Sequence, residues 1–188
     1  MTYGLILAGS GLLVLGLFLQ ADSSYWFLLP VFVAMGHGMG ATMAPMTAAV
    51  MNAVGHQRAG LGSAMTNTSR EVGGVLGIAL LGTILTTKLK GSFGPALASL
   101  GLSPQAQGAI GSAAGHGFLD PSLLKTLPPA QALAVRSAYA ESFMGGFHTA
   151  LTVAALVLLA AAVVANRFIP GHDAVPQEQE QERQPVEV

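Results

Sequence analysis

The segment from Arg58 to Thr87, RAGLGSAMTNTSREVGGVLGIALLGTILTT, constrains this chain more than any other. It is long and apolar enough to cross a bilayer, yet it carries Asn67, Thr68, Ser69, Arg70 and Glu71 within its length. At helical spacing Asn67, Arg70, Glu71 and Gly74 stand at i, i+3, i+4 and i+7, which puts them on one face. An arginine at the centre of a membrane helix costs about 2.5–3.5 kcal/mol even on the mildest insertion scale. That face cannot look at lipid. It must turn to other helices or to a wet cavity, so the segment predicts an all-α, polytopic membrane protein with a polar interior.

Composition agrees. Apolar residues make up 52% of the 188 and charged residues only 9%, against about a quarter charged in water-soluble domains. The net charge of −1 gives no electrostatic case for nucleic acid. The chain has no cysteine, which removes disulfides, thiolate metal sites and Cys nucleophiles, and leaves the redox compartment open. No H-E-x-x-H, no G-x-S-x-G and no pair of carboxylates on one helix points to an enzyme or a metal site.

Four spans are expected. The first, Tyr3 to Gln20, has no basic leader and no A-x-A site after it, so it reads as a membrane helix rather than a cleaved signal. It begins like a chain entered partway through. Its glycines, Gly4, Gly9, Gly11 and Gly16, are tolerated in a membrane setting, and Tyr25 and Trp26 follow as an interfacial aromatic pair. The second span, Trp26 to Val54, is overlong, and Pro30 and Pro45 should bend it. Gly36, Gly40, Ala44 and Ala48 recur every fourth residue, a small-residue ridge where another helix can approach. His37 lies beside that ridge, either bonded to a neighbouring helix or serving as a proton relay.

After a short link, Gly55–Ala59, the third span covers residues 60–87. Gly73, Gly74 and Gly77 follow its polar face, and Gly73 and Gly77 form a G-x-x-x-G suited to close packing. Arg70 and Glu71 are read either as a structural pair or as transport groups, since ionisable side chains inside a membrane are functional candidates by default. Residues 88–142 have no span-length apolar run and are expected to form a long connection, either a folded hairpin or a flexible cover. Within it, Pro128–Pro129 reads as a helix start, and His116 and Asp120 are too isolated to hold a metal. The fourth span, Phe143 to Phe168, is the cleanest, with Gly146, Ala150 and Ala154 as a second small ridge and His148 in its first turns. Residues 170–188 are polar and expected to be a disordered tail.

The residues also resemble something more definite. The stretch GMGATMAPMTAAVMNAVGHQRAGLGSAMTNTSREVGGVLGIALLGTIL is similar to the late helices of the fourteen-helix drug:proton antiporter branch of the major facilitator superfamily. Such proteins carry a Gly-rich helix with an internal Pro and a short link ending in Arg-Ala-Gly. A helix of the form small-Ala-x-x-Asn-Thr-x-Arg-x-x-Gly-Gly-x-x-Gly follows. The matching positions here are Arg58, Gly60, Ser63, Ala64, Asn67, Thr68, Arg70, Gly73, Gly74 and Gly77. The long connection before the last helix, and Phe143, Gly146 and Phe147 at that helix's opening, fit the same branch. Glu71 stands where relatives carry Gln, so any coupling role for it is particular to this sequence.

The resemblance implies the carboxy-terminal four-helix part of a major facilitator bundle in the cell membrane, with its tail in the cytoplasm and residues 88–142 outside. It implies proton-driven export of small amphipathic or cationic drugs, with no cofactor beyond the proton gradient. The amino-terminal helices of the same transporter are the implied partner, without which these residues are expected to be inactive. Asn67, Arg70, Glu71 and His37 are the candidates for substrate or proton contact. The count of basic residues, with Lys88 and Lys90 outside against Arg58 and Arg167 inside, pulls the other way. The orientation rule speaks mainly to short loops and first helices, so the resemblance decides. A small four-helix scaffold that assembles with a partner without moving solute is the alternative.

Overall fold

The computed structural model describes residues 1–115 and 117–168; His116 and residues 169–188 lie outside them. The described residues form six α-helices and one 3₁₀ turn, and no strand among them. In chain order these are α1 (Thr2–Phe18), α2 (Tyr25–Val54), the turn His56–Arg58, α3 (Ala59–Ala98), α4 (Pro104–Ala114), α5 (Pro121–Leu124) and α6 (Pro129–Phe168).

Three of these, α2, α3 and α6, are long and apolar enough to cross a membrane. With 17 residues, α1 is shorter; at 1.5 Å per residue it reaches about 25 Å, just under a ~30 Å hydrocarbon core. The starts of α2 and α4 follow ordinary capping chemistry. Ser24 accepts from the Trp26 amide at the head of α2, and Ser103, followed by Pro104, accepts from Ala106 at the head of α4. Gly55 ends α2 at φ 74°, a left-handed value that a side chain would resist. Pro30 and Pro45 both lie within α2, which continues through them.

The first helix is the axle of the bundle, packed between α2 and α6. Its glycines fall into two pairs spaced by seven. Gly4 and Gly11 meet α2, where a Cβ on Gly11 would stand 2.7 Å from Met35. Gly9 and Gly16 meet α6, where a Cβ on Gly16 would stand 2.8 Å from the Thr152 hydroxyl. Five residues separate one pair from the other, a rotation of about 140°, so a single helix offers two nearly opposed smooth faces. In turn α6 packs on α3, where a Cβ on Gly146 would stand 3.0 Å from the Leu85 carbonyl oxygen. His148 ties the same helix to the end of α1, its Nε2 lying 2.5 Å from the Leu19 carbonyl oxygen. That oxygen belongs to a helix end and lacks an intrahelical donor.

Residues 88–142, read from sequence as a connection between spans, are largely helical. With 40 residues each, α3 and α6 reach about 60 Å, twice the hydrocarbon thickness. Part of each must therefore stand clear of the membrane. There the end of α3, the start of α6, α4 and α5 build a cap around Leu89, Phe93, Leu97, Leu102, Ile110, Ala114 and Val135. The largest fully buried side chains, Leu89, Ile110 and Val135, are all in this cap. Apolar residues every fourth position drive it, Leu89, Phe93 and Leu97 making one stripe on α3. Between them stand Lys90, Gly91, Ser92, Gly94, Pro95 and Ala96, so no run reaches span length and the hydropathy pattern conceals a packed unit.

Candidate functional site

The candidate site is the middle of α3. Toward its start Gly62 lies against Val54 and Val50 of α2, and toward its end Leu85 lies against Gly146 of α6, before the helix enters the cap at Leu89. Between them, Asn67, Arg70 and Glu71 are all exposed. A Cβ added to Gly73, Gly74, Gly77 or Gly82 would meet nothing within 4 Å. Three threonine hydroxyls on this helix are satisfied locally. Thr66 donates to the Gly62 carbonyl at 2.9 Å, Thr83 to Ala79 at 2.7 Å and Thr86 to Gly82 at 2.9 Å. The amide, guanidinium and carboxylate of Asn67, Arg70 and Glu71 are thus presented on successive turns beside a smooth glycine track.

The sequence-derived candidates are not all brought together. Asn67, Arg70 and Glu71 share one stretch of α3, whereas His37 sits on α2 with its exposed ring edge-on to Tyr3 of α1, centroids 6.4 Å apart. The six glycines assigned to helix packing also divide. Gly146 makes a close contact, while Gly36, Gly40, Gly73, Gly74 and Gly77 make none within 4 Å among the described residues. Close approach falls instead to glycines the pattern did not single out. Gly38, not its neighbours Gly36 and Gly40, faces α1, where an added Cβ would stand 2.6 Å from the Gly4 carbonyl oxygen. The four-residue ridge marks a different side of α2 from the one that meets α1, because Gly38 lies about 200° round the helix from Gly36.

Two features escaped the sequence reading. One is the hydrogen bond of His148 to Leu19, 129 positions apart, for which no local signal exists. The other is an apolar hollow under the cap, lined from α6 by Arg136, Tyr139, Ala140, Phe143 and Met144. Their spacing, i, i+3, i+4, i+7 and i+8, is legible as one helical face. Among the described residues, no three His, Cys, Asp or Glu side chains are grouped to hold a metal.

Uncovered polar groups on a helix of span length define a polytopic membrane protein whose α3 forms an interface or a cavity wall, because lipid cannot solvate that face. Comparison with known proteins makes the class specific. The chain is 31% identical over 150 residues to the tetracenomycin C resistance and export protein of Streptomyces glaucescens, covering 78% of this chain and 28% of that one. It is 35% identical over 158 residues to the multidrug resistance protein B homolog of Mycobacterium tuberculosis, covering 81% and 28%. With the multidrug efflux pump LfrA of Mycolicibacterium smegmatis it shares 31% over 170 residues, covering 89% and 32%. No family profile and no solved structure matches. The chain is thus similar to drug-resistance and efflux proteins of the major facilitator superfamily, and it spans about three tenths of the length of these relatives.

Proposed function

We propose that this chain is the carboxy-terminal part of a proton-coupled multidrug exporter of the cell membrane, and that it moves no solute by itself. The observation that carries the reading is the bare middle of α3, where Asn67, Arg70 and Glu71 stand beside an open glycine track. In a transporter that rocks two helical halves about a midplane site, such a face suits the wall of the central cavity. The glycine track lets a further helix approach closely. The three polar groups meet water, substrate or a proton instead of lipid. The amino-terminal helices of the same transporter are the partner that completes the cavity. The partial coverage of the resistance proteins supports this reading.

The substrate class is small, amphipathic and drug-like, the energy source is the proton gradient without a bound cofactor, and no bond of the substrate is made or broken. The tail beyond residue 168 faces the cytoplasm and the cap the opposite side. A direct test measures efflux of a fluorescent amphipathic cation from cells under a proton gradient. Cells expressing residues 1–188 alone should show none above background. A transporter carrying them as its carboxy-terminal part should export the dye and lose most of that export on Arg70→Ala. Gradient-driven efflux by the 188 residues alone, or undiminished export by the Arg70→Ala transporter, would overturn the proposal.

A further inference from the structure

The hollow under the cap is separate from α3's polar stretch and has its own chemistry. Its volume is about 720 Å³, within the range of small-molecule sites. It lies where the loop after α1, the segment entering α5 and the first half of α6 meet. Phe118, Leu124, Tyr139, Phe143 and Met144 give it a mostly apolar wall, and among the described residues Arg136 is the one charged side chain in that wall.

Two observations say what would fill it. The first is an aromatic ladder on α6. Tyr139 and Phe143 stack at 6.1 Å and 28°, and Phe143 and Phe147 at 6.0 Å and 14°. A flat ring entering beside Tyr139 continues that ladder, since offset stacking is a preferred aromatic geometry. Phe118, also in the wall, has 63% of its surface exposed. The second is charge. A lone guanidinium at an apolar wall favours an anion, and a carboxylate or sulfonate can take two parallel N–H bonds from it.

We infer that this hollow is a binding site for a small aromatic organic anion, stacked on Tyr139 and Phe143 and paired with Arg136. The inference does not depend on transport, and its test needs no gradient. Photolabelling with 4-benzoylbenzoate is done on the 188-residue protein in phosphatidylcholine nanodiscs, with the uncharged 4-benzoylbenzamide as the matched probe. The acid should label peptides covering 117–124 and 136–144 saturably, and the amide about tenfold less. Arg136→Ala should lower labelling by the acid to the level of the amide. Arg136→Lys should retain most of it. Ala140→Trp, which fills the hollow from an exposed position, should abolish labelling by both probes. Equal labelling by acid and amide, or acid labelling unchanged in Arg136→Ala, overturns the inference. So does displacement of the acid by phosphatidylglycerol in the nanodisc, which would give the hollow to a lipid headgroup.

Discussion

Gly4 of α1 and Gly38 of α2 face one another so closely that a Cβ on Gly38 would stand 2.6 Å from the Gly4 carbonyl oxygen. Between helices in lipid there is no hydrophobic driving force, because the tails are as apolar as the side chains they would replace. Association then rests on dispersion, which falls steeply with separation, and on how near two backbones can come. Gly11 continues the same contact a heptad along α1, while Gly9 and Gly16 do the equivalent work toward α6.

Position, not glycine content, therefore decides which substitutions on α2 are tolerated. Gly38→Val should loosen α1 from α2 and destabilise the protein by roughly 1–3 kcal/mol, the usual cost of overpacking. Gly36→Val, two residues away with nothing within 4 Å of its Cβ, should stay within about 0.5 kcal/mol of the parent in this chain. Unfolding in mixed micelles titrated with dodecyl sulfate reads both midpoints, and equal shifts would remove the distinction.

The cap makes the opposite prediction, that of a conventional core. Phe93 is 2% exposed and sits edge-on to Tyr139 at 5.5 Å. Phe93→Ala should cost about 3–5 kcal/mol, concentrated in the cap. Limited proteolysis should open cleavage at Lys125 and Arg136, while the spans stay protected by lipid. An unchanged digestion pattern would mean that the cap does not fold as one unit.

How much of this was legible follows from where each signal resides. The spans could be read because twenty-odd apolar residues have few uses outside a membrane. The polar stretch of α3 could be read because Arg70 and Glu71 are too costly to leave in lipid. The two-sided glycine pattern of α1 was present as a spacing of seven, but which face meets which helix depends on Met35 and Thr152, and a single-helix pattern does not contain them. The cap stayed hidden because its stripes at Leu89, Phe93 and Leu97 are sparse, and their partners Ile110 and Val135 come from distant segments. The hollow was half legible: Arg136, Tyr139 and Phe143 mark a face, but Phe118 arrives from a loop and Leu124 from the four-residue α5, both too short to show a period.

One local prediction concerns pH. Asp120 caps the short α5, its Oδ1 accepting from the Ser122 amide at 2.8 Å, and this bond holds its carboxyl below the ordinary value of 3.8. The folded value is the lower one, so the cap is in full effect above 3.8 and is lost as pH falls through the folded value. The Ser122 amide resonance should shift with a midpoint below 3.8. In Asp120→Asn the titration should vanish while an oxygen acceptor remains. A midpoint above 3.8 would contradict the capping bond.

The absence of cysteine makes the middle of α3 directly testable. Single cysteines at 67, 70, 74 and 77 can be introduced into a transporter carrying this segment, with one at the buried Gly62 as a reference. A water-soluble maleimide should modify 67 and 70, because a face that serves a wet cavity must be reached by water. Positions 74 and 77 should react more slowly, since the open glycine track is where another helix approaches. Position 62, pressed against Val54, should not react. Saturating substrate should slow modification at 70 several-fold if the guanidinium lines the path, and leave 62 unchanged. Were 67 and 70 inert in every state, their polar groups would be sealed against protein, and Arg70 would hold helices together instead of meeting cargo.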